Sequence, residues 1–351
     1  MKIGMMGAWN TDSGASIHAE LIGRSWIEMG HELKVFTFFE NSFHGTAITG
    51  DIEDYVSCCF STSKATPQIL DPVPLLTSGY QYFVAQDIGM IPKDLLGKIF
   101  HRIKKKAKTI NVIHDGKLSP DPSFYQFDWD AVVCFDKRYA SFLKKGYPRD
   151  KICIIPYPCH SWKPGNKKES RKKLNLPQEK KIIFLFGLAP VLAAEAFPAL
   201  KSLEKKYPFK ILVVTSYLPA LNKWRKIAKE NPFVEVRVKV LNMDELYTYL
   251  YACDLFFYHK ASLPWVAVSS TAYQILGSGC PMVALNSNFV EEFGKAIMTY
   301  NDDKEMKANI RSIFRKDERY KELMKAQKKY VNENSGMVIG KRFLELFKKL
   351  S

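Results

Sequence analysis

The chain has 351 residues, 46% hydrophobic and 25% charged, which excludes a disordered or fibrous polypeptide and allows two domains whose cores need no disulfide. The 52 Lys+Arg against 36 Asp+Glu leave a formal charge of +16, which bears on partners and solubility and not on fold. Nucleic acid, an anionic membrane surface, phosphorylated small molecules and a merely solubilising surface all stay open on charge alone. The 7 Cys contain no C-x-x-C pair and read as buried free thiols of a reducing compartment. No charged and apolar leader opens the chain, and the apolar run at 182–194 is shorter than the ~20 residues a bilayer needs. A cytoplasmic location is expected, with peripheral attachment to a membrane left open.

In chain order, "KIGMMGA" reads as a buried strand, followed by helical spacing through Ile17, Leu21, Ile22 and Trp26 that ends near Gly30. "HELKVFTFF" is a second strand, which makes a right-handed β-α-β unit. Further strands are expected at "QYFVAQD", "TINVIHD", "AVVCFD" and "KICIIPY", with the basic helix "LLGKIFHRIKKKAK" among them. The Pro-, Gly- and charge-rich stretch "PYPCHSWKPGNKKESRKK" reads as a linker. Alternation then restarts: strands "KKIIFLFG", "FKILVVTS", "FVEVRVKV", "DLFFYH" and "PMVAL", with helices "EAFPALKSLEKKY", "ALNKWRKIAKE", "MDELYTYLYAC" and "STAYQILGSG". The tail from Lys304 is helical, and "GMVIGKRFLELFKKL" is its last amphipathic helix. Val-, Ile- and Phe-rich runs alternating with helices predict parallel sheets covered on both faces. The fold class expected is α/β, two Rossmann-like doubly wound domains with a cleft between them. Ligands of such sheets bind at the carboxyl ends of the strands.

The turn "GAWNTDSGASIHAEL" after the first strand lacks the dinucleotide pattern G-x-G-x-x-G. Thr11, Asp12 or Ser13 can cap the helix, and Gly14 lets a ligand approach the backbone. The helix N-terminus suits an anion, although Asp12 opposes one. Read as structure alone, the same stretch is an ordinary β-α turn.

With this turn, three other stretches carry a resemblance: "GHELKVFT"; "KICIIPYPCHSWKPG" leading into "SRKKLNLPQEKKIIFLFG"; and "MDELYTYLYACDLFFYHKASLPWVAVSSTAYQILGSGCPMVAL". Together they resemble retaining GT-B glycosyltransferases of the glycogen-synthase-like, family 4-type group. The resemblance implies an acceptor domain at 1–160, a nucleotide-sugar domain at 161–335, and a final helix, 336–351, crossing back to the first. It implies a nucleotide-diphosphate sugar as donor, no metal or other cofactor, and a glycan, lipid-linked or small-molecule acceptor. It points to Gly14 near the donor, His114 facing the donor sugar, Gly187 after the strand "IIFLF", and Val240 and Leu241 brushing the base.

Departures from the family pattern are marked. The Arg and Lys expected after "IIFLFG" are replaced by "LAPVLAAEAF", whose one charged residue is Glu195. Of the two acids expected eight residues apart, Val266 takes the first place and Gln274 the second; Gln can still accept from a ribose hydroxyl. Replacement groups are expected at His259 and Lys260, with Lys260 pairing a phosphate as a point charge. Ser269, Ser270 and Thr271 cap the next helix and can set its amides on a phosphate. The bland readings are a solvated lysine, plain capping, and a hydrogen-bonded strand-end histidine at His114. "NDDKE" and "DIEDY" lack the flanking strand a metal site would show, so no metal is expected. "RIKKKAK" and "NKKESRKK" read as solvated faces or as contacts with anionic lipid; nucleic acid is not expected, since no aromatic platform accompanies them. The expected function is metal-independent transfer of a sugar with retention, with His114 and Lys260 as the catalytic pair. A GT-B-fold nucleotide- or sugar-binding scaffold without turnover is the alternative.

Overall fold

The computed structural model describes residues 1–39 and 50–351, in two compact units. The first comprises Met1–Pro158 with Asn334–Ser351, and the second Cys159–Glu333.

The first unit is built on seven parallel strands: β1 (Lys2–Met6), β2 (Glu32–Phe38), β3 (Val56–Phe60), β4 (Tyr82–Gln86), β5 (Lys108–Val112), β6 (Ala131–Cys134) and β7 (Ile152–Ile154), ordered β3-β2-β1-β4-β5-β6-β7. Every residue of β4 is buried, as a strand covered on both faces requires. The helices α1 (Gly14–Glu28), α2 (Pro72–Thr77), α3 (Lys93–Lys106) and α4 (Lys137–Leu143) connect these strands. The C-terminal helix (Gly336–Leu350) lies against α1. Trp26 Nε1 donates to Gly340 O at 3.0 Å, and the Trp26 ring meets Phe343 and Phe347. A side chain at Gly340 would overlap Ser25 Oγ, so glycine permits this close approach.

The second unit has six parallel strands: β8 (Lys181–Phe186), β9 (Phe209–Val214), β10 (Val234–Arg237), β11 (Leu255–Tyr258), β12 (Met282–Leu285) and β13 (Met298–Tyr300), ordered β10-β9-β8-β11-β12-β13. Around them run α5 (Lys167–Lys173), α6 (Pro190–Ala193), α7 (Phe197–Glu204), α8 (Leu218–Glu230), α9 (Met243–Ala252), α10 (Ser270–Leu276), α11 (Asp303–Arg315) and α12 (Glu318–Glu333). Trp224 of α8 is fully buried and donates to Pro190 O at 2.6 Å, tying α8 to α6.

The structure differs from the sequence reading in three places. Strands β3 and β13 were not anticipated; both are outermost in their sheets and short. The linker is shorter than expected, because its basic end "KKESRKK" forms α5, capped by Asn166. Arg171 of that helix is buried, donating to Ala252 O and to Asp254 Oδ2, each at 2.8 Å. Asp254 also receives Lys167 at 2.9 Å, Lys181 at 3.5 Å and the Ile182 amide at 2.8 Å. One buried carboxylate therefore anchors a run whose composition alone suggests solvent. The run "RIKKKAK" is likewise partly engaged: Lys104 pairs with Asp128, and Lys106 donates to three carbonyls around the end of α2. None of the seven cysteines is in a disulfide; five of them are buried, and Cys58 and Cys153 are half-buried.

Candidate functional site

Each sheet has one point where the strand order turns outward in both directions, between β1 and β4 in the first unit and between β8 and β11 in the second. The carboxyl ends of such strands leave a crevice, which is where doubly wound sheets bind ligands.

In the first unit the crevice is set by Gly7. A Cβ there would sit 2.7 Å from Gln86 Cβ and 2.9 Å from Gln86 O, so only glycine lets the β1 turn pass the end of β4. Of the three capping candidates, Ser13 is the cap, accepting from Ser16 N at 3.2 Å. Gly14 is the first residue of α1, and its carbonyl accepts from Tyr157 Oη at 2.7 Å. At Gly7 a side chain is excluded by the end of β4. Asn10, at φ 52°, and Arg24 stiffen this turn: Arg24 donates to Asn10 Oδ1 at 2.8 Å and pairs with Glu53 at 2.5 Å. Glu53 of "DIEDY" is therefore committed to an arginine. In "NDDKE", Asp302 caps α11 and Glu305 Oε2 accepts from Asn301 N at 2.8 Å. Among the described residues, no group of three His, Cys, Asp or Glu is placed to hold a metal.

His114 follows β5 and donates from Nε2 to Gln86 Oε1 at 3.0 Å. His18, on α1 and fully buried, donates from Nδ1 to the same oxygen at 3.1 Å, and its ring meets that of His114 edge-on. Burial pushes His114 down to about 3 and His18 well below the ordinary histidine value, the latter aided by His114. At neutral pH His114 is an uncharged hydrogen-bonding group. With Asp87, Asp115, Tyr125 and Tyr147 it lines a pocket beyond β4 and β5. Asp87 sits at φ 57°, and burial, with Asp115 next to it, raises its pKa.

In the second unit Gly187 closes β8 at φ +79°, in the left-handed region, with no heavy atom within 4 Å of where a Cβ would lie. Its amide donates to Val214 O at 3.3 Å and its carbonyl accepts from Thr215 Oγ1 at 2.7 Å, at the end of β9. His259 Nδ1 lies 2.6 Å from Tyr300 Oη, and its Nε2 is 4.0 Å from Glu195. Burial lowers the His259 pKa, against the pull of Glu195. Lys260 is not a solvated lysine. It is half-buried, with Nζ 3.8 Å from the centre of the Phe289 ring, and burial lowers its pKa. Among the described residues it has no carboxylate partner.

Ser269 is buried and caps α10, accepting from Ala272 N at 3.2 Å, with Ser270 and Thr271 half-buried in the first turn. Gln274, one turn on, lies 3.4 Å from Met243 Sδ, and its carbonyl accepts from Tyr247 Oη at 3.0 Å. Val240 and Leu241 part company: Val240 is 39% exposed, whereas Leu241 is 6% exposed and points into the core. Leu241 can meet a ligand only through its backbone. The sequence reading missed His18, Gln86, Tyr300 and Phe289. Gln86 alone carried a signal, an amide at the end of the otherwise apolar "YFVAQ".

No protein-family model matches the chain. Solved structures that share its fold over nearly all of both chains include sucrose-phosphate synthase from Thermosynechococcus elongatus (12% identity, TM-score 0.68, 100% of this chain and 99% of that one). A glycosyltransferase from Rickettsia africae matches at 14% identity and TM-score 0.70, over 99% and 98% of the two chains. Anabaena HepE, solved in complex with UDP-glucose, matches at 14% and 0.69, over 99% and 100%. The likeness shows the fold: two parallel-sheet α/β units in the GT-B architecture. No helix among the described residues is long and apolar enough to cross a membrane.

Proposed function

We propose that the chain is a glycosyltransferase that moves a sugar from a nucleoside-diphosphate sugar to a hydroxyl-bearing acceptor, with retention at the anomeric carbon and without a metal. The observation that carries this reading is Lys260, a half-buried ammonium with no carboxylate among its described neighbours, at the carboxyl end of β11. A cation left uncompensated in partial burial favours an anion there. Gly187, at the end of β8 across the same turning point, carries no side chain and has open space where one would lie, so a phosphate can approach the following amides closely. Supporting the donor class, HepE shares the fold and was solved with UDP-glucose, and the pneumococcal O-GlcNAc transferase GtfA with UDP and GlcNAc.

In this mechanism Lys260 balances charge as it grows on the departing diphosphate, which is where electrostatic stabilisation speeds transfer. The amides after Gly187 and at the start of α10 supply further donors, and Gln274 accepts from a ribose hydroxyl. Val240 offers an apolar contact to the base. The proton of the attacking hydroxyl passes to a phosphate oxygen of the donor. In the first unit, His114 offers a neutral hydrogen-bonding group to a hydroxyl-bearing ligand, because its burial keeps it uncharged.

The test is a thermal-shift series on the full chain with UDP, GDP and ADP and with their glucose conjugates, since a ligand that binds the native state raises Tm. A shift with one base, larger for the diphosphate than for the nucleoside, is expected. Lys260→Met should weaken that diphosphate about tenfold or more, as loss of a charge-assisted contact does. Absence of any shift across the series would sink the transferase reading.

A further inference from the structure

Lys260 owes its position to the loop that follows β12. Asn288 on that loop makes four hydrogen bonds to the segment just after Lys260. Its Nδ2 donates to Leu263 O and to Trp265 O, each at 2.8 Å. Its Oδ1 accepts from Leu263 N at 3.2 Å, and its backbone N donates to Ser262 Oγ at 3.1 Å. The next residue, Phe289, is buried and supplies the ring under the Lys260 ammonium. The β12 loop thus both pins the strand of chain that carries Lys260 and provides the surface on which its charge rests.

The choice of an aromatic ring matters. A carboxylate in that place would hold the lysine equally well but cancel its charge. A ring face attracts the ammonium through its quadrupole and leaves the net positive charge in place. We propose that Asn288 and Phe289 are the positioning residues of Lys260, holding it half-buried and un-neutralised so that it is ready for a diphosphate. The proposal rests on the anion-binding reading of Lys260 and adds the residues that make the reading work.

Two measurements on the full chain test it. The first needs no ligand: lysines are reductively methylated with ¹³C, and the Lys260 signal is assigned by its loss in Lys260→Met. Ring current should set that signal apart from those of the solvated lysines. Phe289→Leu should move it into their range, Phe289→Tyr should keep it apart, and Asn288→Ala should move it partway. An unmoved signal in both Phe289→Leu and Asn288→Ala overturns the proposal, whatever the chain binds.

The second reads affinity for UDP as the diphosphate probe. Phe289→Leu should weaken binding about fivefold, Phe289→Tyr should restore it, and the loss should vanish in a Lys260→Met background. A fivefold loss that persists without Lys260 means Phe289 acts through packing, which also overturns the proposal. If UDP does not bind at all, the proposed function falls, while the methyl signal still decides whether the β12 loop positions Lys260.

Discussion

The crevice between β1 and β4 and the crevice between β8 and β11 arise from the same strand topology, yet they are furnished with opposite chemistry. The first is lined with neutral or acidic groups: two buried histidines donating to one glutamine oxygen, and Asp87 beside Asp115. The second holds an uncompensated lysine above an aromatic ring and an open glycine. Burial drives the difference. In the first unit it removes charge from the histidines; in the second, Lys260 is only half-buried, and what lies against it is a ring face and not a carboxylate. Topology therefore sets where a ligand sits, and the few side chains at the turning point set what charge it meets.

The largest expected effect separates the units by stability. Asp254→Asn should destabilise the second unit by about 3–5 kcal/mol, because it leaves the buried Arg171 uncompensated. Urea melts that follow the two units separately check this; equal loss in both would contradict it. Although burial opposes ionisation of Asp254, Lys167, the Ile182 amide and Lys181 outweigh it and hold the carboxyl below the usual range. A group with a depressed folded pKa stabilises above its unfolded value, about 3.9, and loses that contribution as pH falls through the folded value. This share of second-unit stability should therefore disappear only below about pH 4.

The first unit should respond earlier. His114 is pushed down to about 3, against an unfolded value of about 6.5. The unfolded chain then takes up the proton first, so stability is lost progressively as pH falls below about 6.5. Asp87, raised by burial and by Asp115, runs the other way, so the histidine contribution is read as the difference between wild type and His114→Gln. The stability of wild type relative to His114→Gln should therefore fall from pH 7 to pH 4; a relative stability that does not change with pH would mean that His114 is not held neutral.

Two glycine substitutions sharpen the contrast between the crevices. Gly7→Ala places a Cβ 2.7 Å from Gln86 Cβ and should cost about 1–3 kcal/mol, as overpacking does. Gly187→Ala meets no atom within 4 Å but must hold φ at +79°, a strain of about 1 kcal/mol. Chemical denaturation of each variant checks the order. A reversed order would mean that the Gly7 turn relaxes more readily than the packing suggests.

Much of the architecture was legible from pattern. Runs such as "KIIFLF" and "FKILVV" are too apolar for a half-exposed strand, and they form the interior strands β8 and β9. The helix after β1 ends at Glu28, with Gly30 at φ +80° just beyond, where the sequence put its stop. Less was legible at the sites. His114, His259 and Lys260 could be picked out because strand ends in such sheets carry ligands. Their partners could not: Gln86, Tyr300, Phe289 and Asn288 lie 28 or more residues away from them, and nothing local marks a residue as the support of another so distant. The basic run in α5 misled for the same reason, since Asp254, the acid that buries Arg171, lies 83 residues on.

By itself the sequence determined the alternation of strand and helix, and hence two parallel sheets, because side-chain period and apolar content are local properties. It also determined the excess of positive charge. Only the tertiary structure decided which charges survive: it joined Arg171 to Asp254, made two histidines neutral by burying them around Gln86, and set Lys260 on a ring instead of a carboxylate. Those outcomes depend on contacts between distant residues and on the loss of water around them, and neither is written in any short stretch of chain.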